Sequence, residues 1–349
     1  MQALGYSASS GYRLQCKIHF LLNKTLFNLK VHSPDFLRGR STDRLKGKKS
    51  ALNTIFKNVH PEYTFASHYL DIGGHRLHYI DEGQGPVLVA LHGNPTWSFF
   101  YRKVIARFRH HYRVIALDNM GCGFSDKPQE YEYTLERHIS NLSSVLESLT
   151  IDSCSLMVHD WGGAIGMGYA VRNPEKIQKI VVCNTAAFRS RRLPLRIRIC
   201  RLPVIGEILV RGVNGFAAPA TFMAVNHPLA PETKKWYLLP YDSWRNRIAI
   251  HRFVQDIPLN EHHQSYSTLL EIEQGLETLA NKGVPLLILW GGKDFCFTED
   301  FYRQWKSRFP MAKAHLFPQL GHYLLEDGFE EIAPYLDAFL LPESQLENE

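Results

Sequence analysis

Short apolar runs alternate with longer helical stretches from about Phe65 onward, and this alternation constrains the fold more than any other feature of the sequence. Residues 68–72 and 76–80 flank Gly73-Gly74 and predict a hairpin. Six further apolar runs have the length of buried strands: 87–91, 113–117, 155–159, 179–183, 285–290 and 314–317. Helical stretches separate or follow them: 97–110, 134–149, 161–173, 298–309 and 329–341. The pattern predicts an α/β fold with a mostly parallel eight-stranded sheet and helices on both faces.

One interval interrupts the alternation. Residues 184–284 contain no clear strand but carry helical patterns, several prolines and many aromatic residues. An insertion of this length at one place predicts a helical cap over the carboxyl edge of the sheet, where open α/β sheets bind their ligands. The predicted domains are an extension (1–60), a core in two parts (61–188 and 278–349) and the cap (189–277).

The positive charge of the chain is concentrated at its N-terminus. Residues 1–50 hold ten of the 40 Lys and Arg residues but only two of the 34 Asp and Glu residues. The remainder, with 30 basic against 32 acidic residues, is close to neutral, which argues against a nucleic-acid-binding face. We predict that 1–60 is an unstructured extension or reflects a start codon assigned too far upstream; a transit peptide and a peripheral lipid anchor are the alternatives.

The cysteines indicate neither a disulfide framework nor a metal site. The six cysteines are scattered without a Cys-x-x-Cys pair, and the adjacent pairs His110-His111 and His262-His263 belong to no metal-binding spacing. We therefore expect a reducing compartment, the cytoplasm, and no metal or cofactor. No apolar stretch approaches the roughly 20 residues that span a bilayer, so any membrane contact would be peripheral.

The motif Val158-His159-Asp160-Trp161-Gly162-Gly163 lies where an apolar strand meets a helix. It has the layout of a nucleophile elbow, a strained strand-to-helix turn, with Asp160 in the place of the usual Ser and Val158 in the place of the first Gly. The motif alone fits equally well an Asp that caps a helix.

Two further residues complete a catalytic order. Asp294 follows the apolar run 285–290, and His322 follows the last strand. Nucleophile, acid and base then occur in the chain order that such an elbow requires. Because a carboxylate is already ionised near neutral pH, Asp160 can attack carbon without losing a proton and form an ester. His322 would activate water or manage protons in product formation, and Asp294 would orient it.

The expelled group needs hydrogen-bond donors. Asn94, in the loop after the first parallel strand, and Trp161, directly after the nucleophile, can offer side-chain and backbone N–H groups. We predict that both bind the departing anion; simple packing of Trp161 is the alternative.

Four segments, 92–97, 118–128, 159–163 and 321–327, resemble the haloalkane dehalogenases, which have the α/β-hydrolase fold with an inserted cap. The resemblance implies that Asp160 displaces halide and that Asn94 and Trp161 bind it. Some members take the acid from the strand end before the cap. Cys183-Asn184-Thr185 offers no acid there, so the role passes to Asp294.

Four other segments, 184–188, 240–247, 253–258 and 294–297, resemble the β-lactone decarboxylases of bacterial long-chain olefin synthesis. The similarity runs from about residue 65 to 341 and includes the cap. It implies conversion of a cis-3-alkyl-4-alkyl-oxetan-2-one to a cis-alkene and carbon dioxide, with the enzymes of olefin synthesis as partners. Asp160 would attack the ring carbon that bears oxygen; attack at the carbonyl carbon, which gives a mixed anhydride, is the alternative.

Three other functions share parts of this pattern. A haloalkane dehalogenase would use the same first step and then hydrolyse the ester. An epoxide hydrolase would need cap tyrosines to protonate the epoxide oxygen, for which Tyr237, Tyr241 and Tyr266 are candidates by position. An inactive binding protein on the same fold is disfavoured, because Asp160, Asp294 and His322 are all retained.

The cap begins with six arginines and no acid between them: Arg189, Arg191, Arg192, Arg196, Arg198 and Arg201. Leucine and isoleucine residues interleave with them. The segment 189–201 predicts either a docking face for a partner enzyme or an anionic membrane, or an ordinary solvated face of a cap helix.

Overall fold

The computed structural model describes residues 60–342, so the predicted extension 1–60 and its transit-peptide and anchor alternatives lie outside the described residues, except for His60. The sheet has the strands β1 Ser67–Ile72, β2 His75–Glu82, β3 Val87–Leu91, β4 Arg113–Leu117, β5 Cys154–His159, β6 Ile177–Cys183, β7 Leu286–Gly291 and β8 Lys313–Phe317. Their order is β1-β2-β4-β3-β5-β6-β7-β8, with β2 antiparallel to both neighbours and all other pairs parallel. The predicted eight-stranded, mostly parallel sheet is confirmed.

The helices of the described range are α1 Arg102–Phe108, α2 Leu135–Ser148, α3 Trp161–Arg172, α4 Leu195–Cys200, α5 Ile205–Glu207, α6 Ala217–Met223, α7 Pro231–Leu238, α8 Ile248–Gln255, α9 Tyr266–Asn281, α10 Glu299–Arg308, α11 Leu324–Asp327 and α12 Phe329–Leu340. Short 3-10 turns occupy Ser98–Tyr101, Pro174–Lys176, Leu239–Tyr241 and Arg245–Arg247, and Ile208–Gly212 is a π-helical turn. Not one of these described helices combines the length and the apolar character that crossing a bilayer requires.

The central strands are mostly apolar because helices cover both faces of the sheet. Along β3, Leu88 and Ala90 pack into one hydrophobic cluster, whereas Val89 and Leu91 pack into the other. Side chains that alternate across a strand thus supply both cores. The carboxyl edge of the sheet thus lies between two packed layers, and the loops that follow the strands start from this edge.

Helices α4 to α8 form the insertion above this edge, but α9 does not belong to it. Helix α9 packs along α3 and also contacts α2 and α10, on the flank of the sheet. The predicted cap boundary at residue 277 falls inside this helix. Helical periodicity is the same in a cap helix and in a crossover helix, so only the packing distinguishes them. We place the end of the cap before Tyr266.

A buried ion pair joins two core helices near the cap. Arg102 of α1 donates to both carboxylate oxygens of Glu326 in α11, with Nη2 to Oε2 at 2.8 Å. The side chains are only 2% and 4% exposed. Tyr237 of the cap helix α7 donates its hydroxyl to the same carboxylate. The pair therefore fixes part of the cap to the core.

Candidate active site

Asp160 lies in the sharp turn between β5 and α3, with φ 51° and ψ −126°. A non-glycine residue rarely adopts positive φ, and strain of this kind is typical of functional turns. The turn is possible because α3 starts very close to β3: a Cβ atom on Gly162 would overlap the carbonyl oxygen of Leu91. The predicted elbow geometry is thus present despite Val158 in the place of glycine.

Backbone N–H groups hold the carboxylate of Asp160 in place. The N–H of Asn94 donates to its Oδ1 at 2.6 Å, and the adjacent N–H of Trp161 also interacts favourably with the ionised carboxylate, which lowers its pKa. Gly93 allows this approach, because a Cβ atom there would overlap the Asp160 side chain. The two backbone donors that the sequence assigned to a departing anion are therefore occupied by the nucleophile itself before substrate binds.

His322 and Asp294 complete the predicted triad in space. His322 Nε2 lies 3.7 Å from Asp160 Oδ2, and His322 Nδ1 lies 2.7 Å from Asp294 Oδ2. Asp294 and His322 are buried. The backbone N–H groups of Cys296 and Phe297 donate to Asp294 Oδ1 at 2.7 and 3.0 Å, which fixes the acid against its histidine.

Asn184 supports the acid in a way that the sequence did not reveal. Its Nδ2 donates to Asp294 Oδ2 at 3.0 Å, and its Oδ1 accepts the N–H of Gly291 at 2.8 Å. Asn184 stands at the end of β6, where some haloalkane dehalogenases carry the acid itself. At this position the chain therefore has an amide that orients the acid of the neighbouring strand end.

The pKa values of the reacting pair are both displaced upward. Burial raises the pKa of the Asp160 carboxyl, although His322 and the two backbone donors oppose the rise. Burial alone would lower the pKa of His322, but the carboxylates of Asp294 and then Asp160 more than compensate, so it lies above the usual value. The carboxylates of Asp294 and Asp160 thus stabilise the protonated form of His322.

His159 holds the backbone of the catalytic histidine. Its Nε2 lies 2.9 Å from the carbonyl oxygen of His322, and the two rings are 4.5 Å apart. Burial, and then the neighbouring His322, keep the pKa of His159 well below its usual value, so the ring is neutral and donates to that carbonyl. The position of His159 next to the nucleophile in the motif could have indicated a role in the site. The carbonyl that it contacts belongs to a residue far along the chain and could not be predicted.

The loop that carries His322 is also bonded to the cap. The carboxylate of Asp327 accepts N–H groups from Gly321 at 2.7 Å and from Asn226 at 2.8 Å. The N–H of Tyr323 donates to the carbonyl of Ala224 at 2.7 Å. Cap residues and the catalytic loop are therefore held by the same hydrogen bonds.

The side chains of Asn94 and Trp161 border the space in front of the nucleophile. Asn94 Nδ2 donates to the carbonyl of Ile250 in the cap helix α8 at 3.1 Å, which leaves its second N–H for a ligand. The indole of Trp161 packs against Phe253 with ring centroids 5.2 Å apart. The amide of Asn94 thus faces the buried site and not bulk solvent.

The three tyrosines named for an epoxide hydrolase are engaged elsewhere. Tyr237 bonds Glu326, and Tyr241 donates to the carbonyl of Thr96 at 3.3 Å. Tyr266 bonds Arg189 at 2.9 Å. None of the three lines the cavities beside Asp160. These three candidates are therefore not placed to protonate an epoxide bound beside Asp160.

The described cysteines, Cys122, Cys154, Cys183, Cys200 and Cys296, are all free thiols. Within residues 60–342 no group of three or more His, Cys, Asp or Glu side chains has the arrangement of a metal site.

The family model of the alpha/beta hydrolase fold matches residues 86–329. The chain belongs to the α/β-hydrolase family. This α/β-hydrolase is 42% identical over 283 residues to a cis-3-alkyl-4-alkyloxetan-2-one decarboxylase of Shewanella oneidensis, with 79% of this chain and 88% of the relative covered. A decarboxylase of the same name from Xanthomonas campestris is 36% identical, with 81% and 98% covered.

Among solved structures, a haloalkane dehalogenase from Agrobacterium tumefaciens superposes on this α/β-hydrolase with a TM-score of 0.71. It is 28% identical, and the match covers 78% of this chain and 95% of the dehalogenase. The two resemblances drawn from the motifs, to the dehalogenases and more specifically to the β-lactone decarboxylases, are both confirmed.

Proposed function

We propose that this enzyme converts cis-3-alkyl-4-alkyl-oxetan-2-ones to cis-alkenes and carbon dioxide through an ester on Asp160. The similarity to two decarboxylases over most of the chain, cap included, carries the proposal. The site suits the chemistry, because the carboxylate of Asp160 is held by backbone N–H groups with one oxygen directed toward His322.

In the first step, Asp160 Oδ2 attacks C4, the ring carbon that bears oxygen. The C4–O bond breaks with inversion at C4. Its electron pair goes to the ring oxygen, which becomes part of a free carboxylate attached to C3. The remaining Asn94 N–H and the indole N–H of Trp161 would bind this carboxylate as they would bind a halide ion. Attack at the lactone carbonyl carbon remains the alternative first step.

In the second step, the C3–carboxylate bond breaks as carbon dioxide leaves, and its electrons form the alkene while the C4–O bond to Asp160 breaks. Loss of the two groups from opposite faces, after inversion at C4, gives the cis-alkene. Asp160 leaves as a carboxylate, and the imidazolium of His322, kept charged by Asp294, would stabilise that negative charge. No water is consumed.

Haloalkane hydrolysis is the second candidate, because the likeness to a haloalkane dehalogenase covers 78% of this chain. The first step is the same, with halide as the leaving group. The second step differs: a neutral His322 would have to deprotonate water that attacks the ester.

A side-by-side assay of purified enzyme tests the proposal. One vessel holds a cis-dialkyl β-lactone, and alkene is measured; the other holds a terminal bromoalkane, and bromide is measured. We expect alkene and carbon dioxide in equal amounts, and a loss of at least about a thousandfold in Asp160→Asn, whose amide is a poor nucleophile. Asn173→Ala, which changes an amide far from the site, is the control. Bromide without alkene would make the enzyme a dehalogenase, and full turnover by Asp160→Asn would exclude both candidates.

We also propose that the start of the cap contacts an anionic membrane surface in the cytoplasm, from which a water-insoluble substrate would be drawn. Helix α5 contacts both helix α4 and the adjoining π-helical turn, and large apolar residues in and next to these elements are exposed, among them Leu195 (69% exposed), Val204 (70%) and Val213 (69%). Arg191 and Arg198 are exposed beside them. An apolar surface with arginines next to it suits lipid with acidic headgroups.

Not all of the six arginines contribute to such a face. Arg189 pairs with Glu273 at 2.6 Å and Arg192 pairs with Asp300 at 2.8 Å. Arg201 donates to the carbonyl of Val254 at 2.7 Å. The charge available for docking is therefore smaller than the sequence indicates.

Sedimentation with vesicles tests the membrane contact. We expect the enzyme to bind vesicles that contain phosphatidylglycerol and not those of phosphatidylcholine alone. The triple variant Leu195→Ser, Val204→Ser, Val213→Ser should lose at least about tenfold in binding. Met311→Ser, an exposed apolar residue outside the cap (95% exposed), is the matched control. Absence of wild-type binding, or equal binding by the triple variant, would contradict the proposal and favour a protein partner.

A further inference from the structure

We infer that the two alkyl groups of the β-lactone occupy two separate apolar cavities that meet at Asp160, with the C3 group in the cavity lined by Trp161 and the C4 group in the cavity lined by His322. The inference rests on the proposed function and adds to it which substituent each part of the site selects. The two cavities are called here the Trp161 arm and the His322 arm.

The Trp161 arm lies between the core and the beginning of the cap. Its volume is about 140 Å³, roughly ten times what one water molecule needs. Apart from Asn94 and Asp160 at its inner end, its lining includes Ala164, Ala186, Phe188, Leu193, Val254 and Phe301, with Ser190 and Arg192 as polar exceptions. An apolar space of this kind holds a hydrocarbon chain better than water.

The His322 arm runs among the cap helices on the other side of the nucleophile. Its volume is about 290 Å³, and its lining includes Pro95, Leu209, Pro219, Ala220, Met223 and Tyr323. Helices α4 and α6 and the π-helical turn all contribute residues to its wall. It is the roomier arm, and Arg196 is the basic residue in its wall.

Five residues line both arms: Asn94, Asp160, Ile197, Phe216 and Cys296. Asn94 and Asp160 form the common floor, and the cap side chains Ile197 and Phe216 belong to the wall on both sides. A substrate with one chain needs one such cavity. Two apolar cavities that share the reactive carboxylate suit a substrate whose adjacent carbons each carry a chain.

The chemistry of ring opening decides which chain enters which arm. Asp160 Oδ1 is bonded to the N–H of Asn94, whereas Oδ2 lies 3.7 Å from His322 Nε2, so Oδ2 is the oxygen free to attack. The carbon that it attacks, C4, therefore lies on the His322 side. The carboxylate released on C3 is bound by Asn94 and Trp161. Trp161 lines one arm and His322 the other, so each carbon directs its own chain into a different arm.

Two alanines provide matched probes. Ala186 lines the Trp161 arm alone and Ala220 lines the His322 arm alone, and both are half-buried. Ala186→Leu and Ala220→Leu add the same three carbons to opposite arms. The substrates are two cis-lactones of equal composition, one with a long chain on C3 and methyl on C4, the other reversed. Both give the same cis-alkene, so one measurement serves both.

We expect Ala186→Leu to lower kcat/KM for the lactone with the long C3 chain by about tenfold relative to its isomer, and Ala220→Leu to have the opposite preference, since steric changes of this size in a hydrophobic pocket alter rates by roughly 10- to 200-fold. The lactone with methyl on both carbons is the internal control: it has no long chain to fill either arm, so the two variants should convert it at similar rates. If either leucine impairs folding, Leu193→Ala and Leu209→Ala enlarge the same two arms and should favour a longer C3 or C4 chain respectively.

The outcomes separate the two levels of the proposal. No alkene from wild-type enzyme with any lactone would refute the proposed function. If Ala186→Leu and Ala220→Leu formed alkene with the same isomer preference, or with the two preferences exchanged, the proposed function would stand and the assignment of the arms would be overturned.

Discussion

At the residue scale, the pairing of Asp160 with His322 determines how activity should depend on pH. Burial raises the pKa of Asp160, and Asp294 raises that of His322 above its usual value. The proposed decarboxylation uses the carboxylate of Asp160 and the imidazolium of His322. We therefore expect kcat/KM for alkene to fall as pH decreases through the raised pKa of Asp160 and to fall again as pH increases through the raised pKa of His322.

The alkaline side of this profile separates the two candidate functions. Hydrolysis of an alkyl ester needs neutral His322, so bromide release would increase as pH rises through the same pKa. The profile is measured as alkene formed from a cis-lactone between acidic and alkaline pH. Alkene formation that increases with pH in the alkaline range would contradict the imidazolium role of His322.

Asn184 offers a second test at this scale. Asn184→Ala removes a hydrogen bond to Asp294 Oδ2 and leaves the buried N–H of Gly291 without its acceptor. A loss of about 1–2 kcal/mol in the positioning of the acid corresponds to a fall in kcat of about tenfold. KM should stay close to wild type, because Asn184 lines neither arm. Asn173→Ala, which loses a bond to the carbonyl of Tyr169 at 3.0 Å, is the control. An unchanged kcat would show that Asp294 needs no support from Asn184.

The sequence predicts the reacting residues better than the residues that hold them. Asp160, Asp294 and His322 each follow a strand of a regular pattern, so topology brings them to one edge. Asn184 and His159 act through hydrogen bonds to Gly291, Asp294 and His322, which are distant along the chain. No periodicity encodes such contacts. The N–H groups of Asn94 and Trp161 were predicted as donors, but their engagement with Asp160 depends on the exact path of the turn.

At the element scale, the closeness of α3 to β3 makes Gly162 a test of the elbow. In Gly162→Ala the new methyl group would overlap the Leu91 carbonyl, so β3 and α3 must separate. We expect a free energy of unfolding lower by about 1–3 kcal/mol or more, with lost activity. Gly212→Ala is the matched control, because its nearest neighbour would be 3.6 Å away. Equal stability of the two variants in denaturant would mean that the turn does not depend on this close approach.

Strand positions were predictable because buried parallel strands are short apolar runs with clear ends. Every predicted strand matches an observed one to within two residues at either end. The cap was harder to predict: its predicted boundary at residue 277 fell inside α9, because an amphipathic pattern indicates that a helix has a buried face but not which surface covers it. The same limitation applies to the docking face, because the ion pairs of Arg189 and Arg192 are formed with distant residues.

At the scale of the whole molecule, the Arg102–Glu326 pair links the core to the cap through Tyr237. Arg102→Met leaves the Glu326 carboxylate buried without its partner, and we expect a loss of about 3–5 kcal/mol in the free energy of unfolding. The double variant Arg102→Met, Glu326→Gln should recover part of this loss, since no buried charge remains. Denaturant unfolding measures both.

Arg137→Met is the control for that experiment, because its pair with Glu132 is 42% and 74% exposed. It should change stability by no more than about 0.5 kcal/mol. If Arg102→Met were no more harmful than Arg137→Met, the buried pair would not contribute to joining cap and core.

The hydrogen bonds of Asp327 and Tyr323 to residues 224–226 have a consequence for how molecules reach the interior. A hinge movement that lifted this part of the cap would break those bonds and displace the histidine that the reaction requires. The substrate must then enter between the side chains of a cap that does not lift. The width of the hydrocarbon chain, and not its length, should therefore limit entry: a branched chain would be excluded where a much longer straight chain passes.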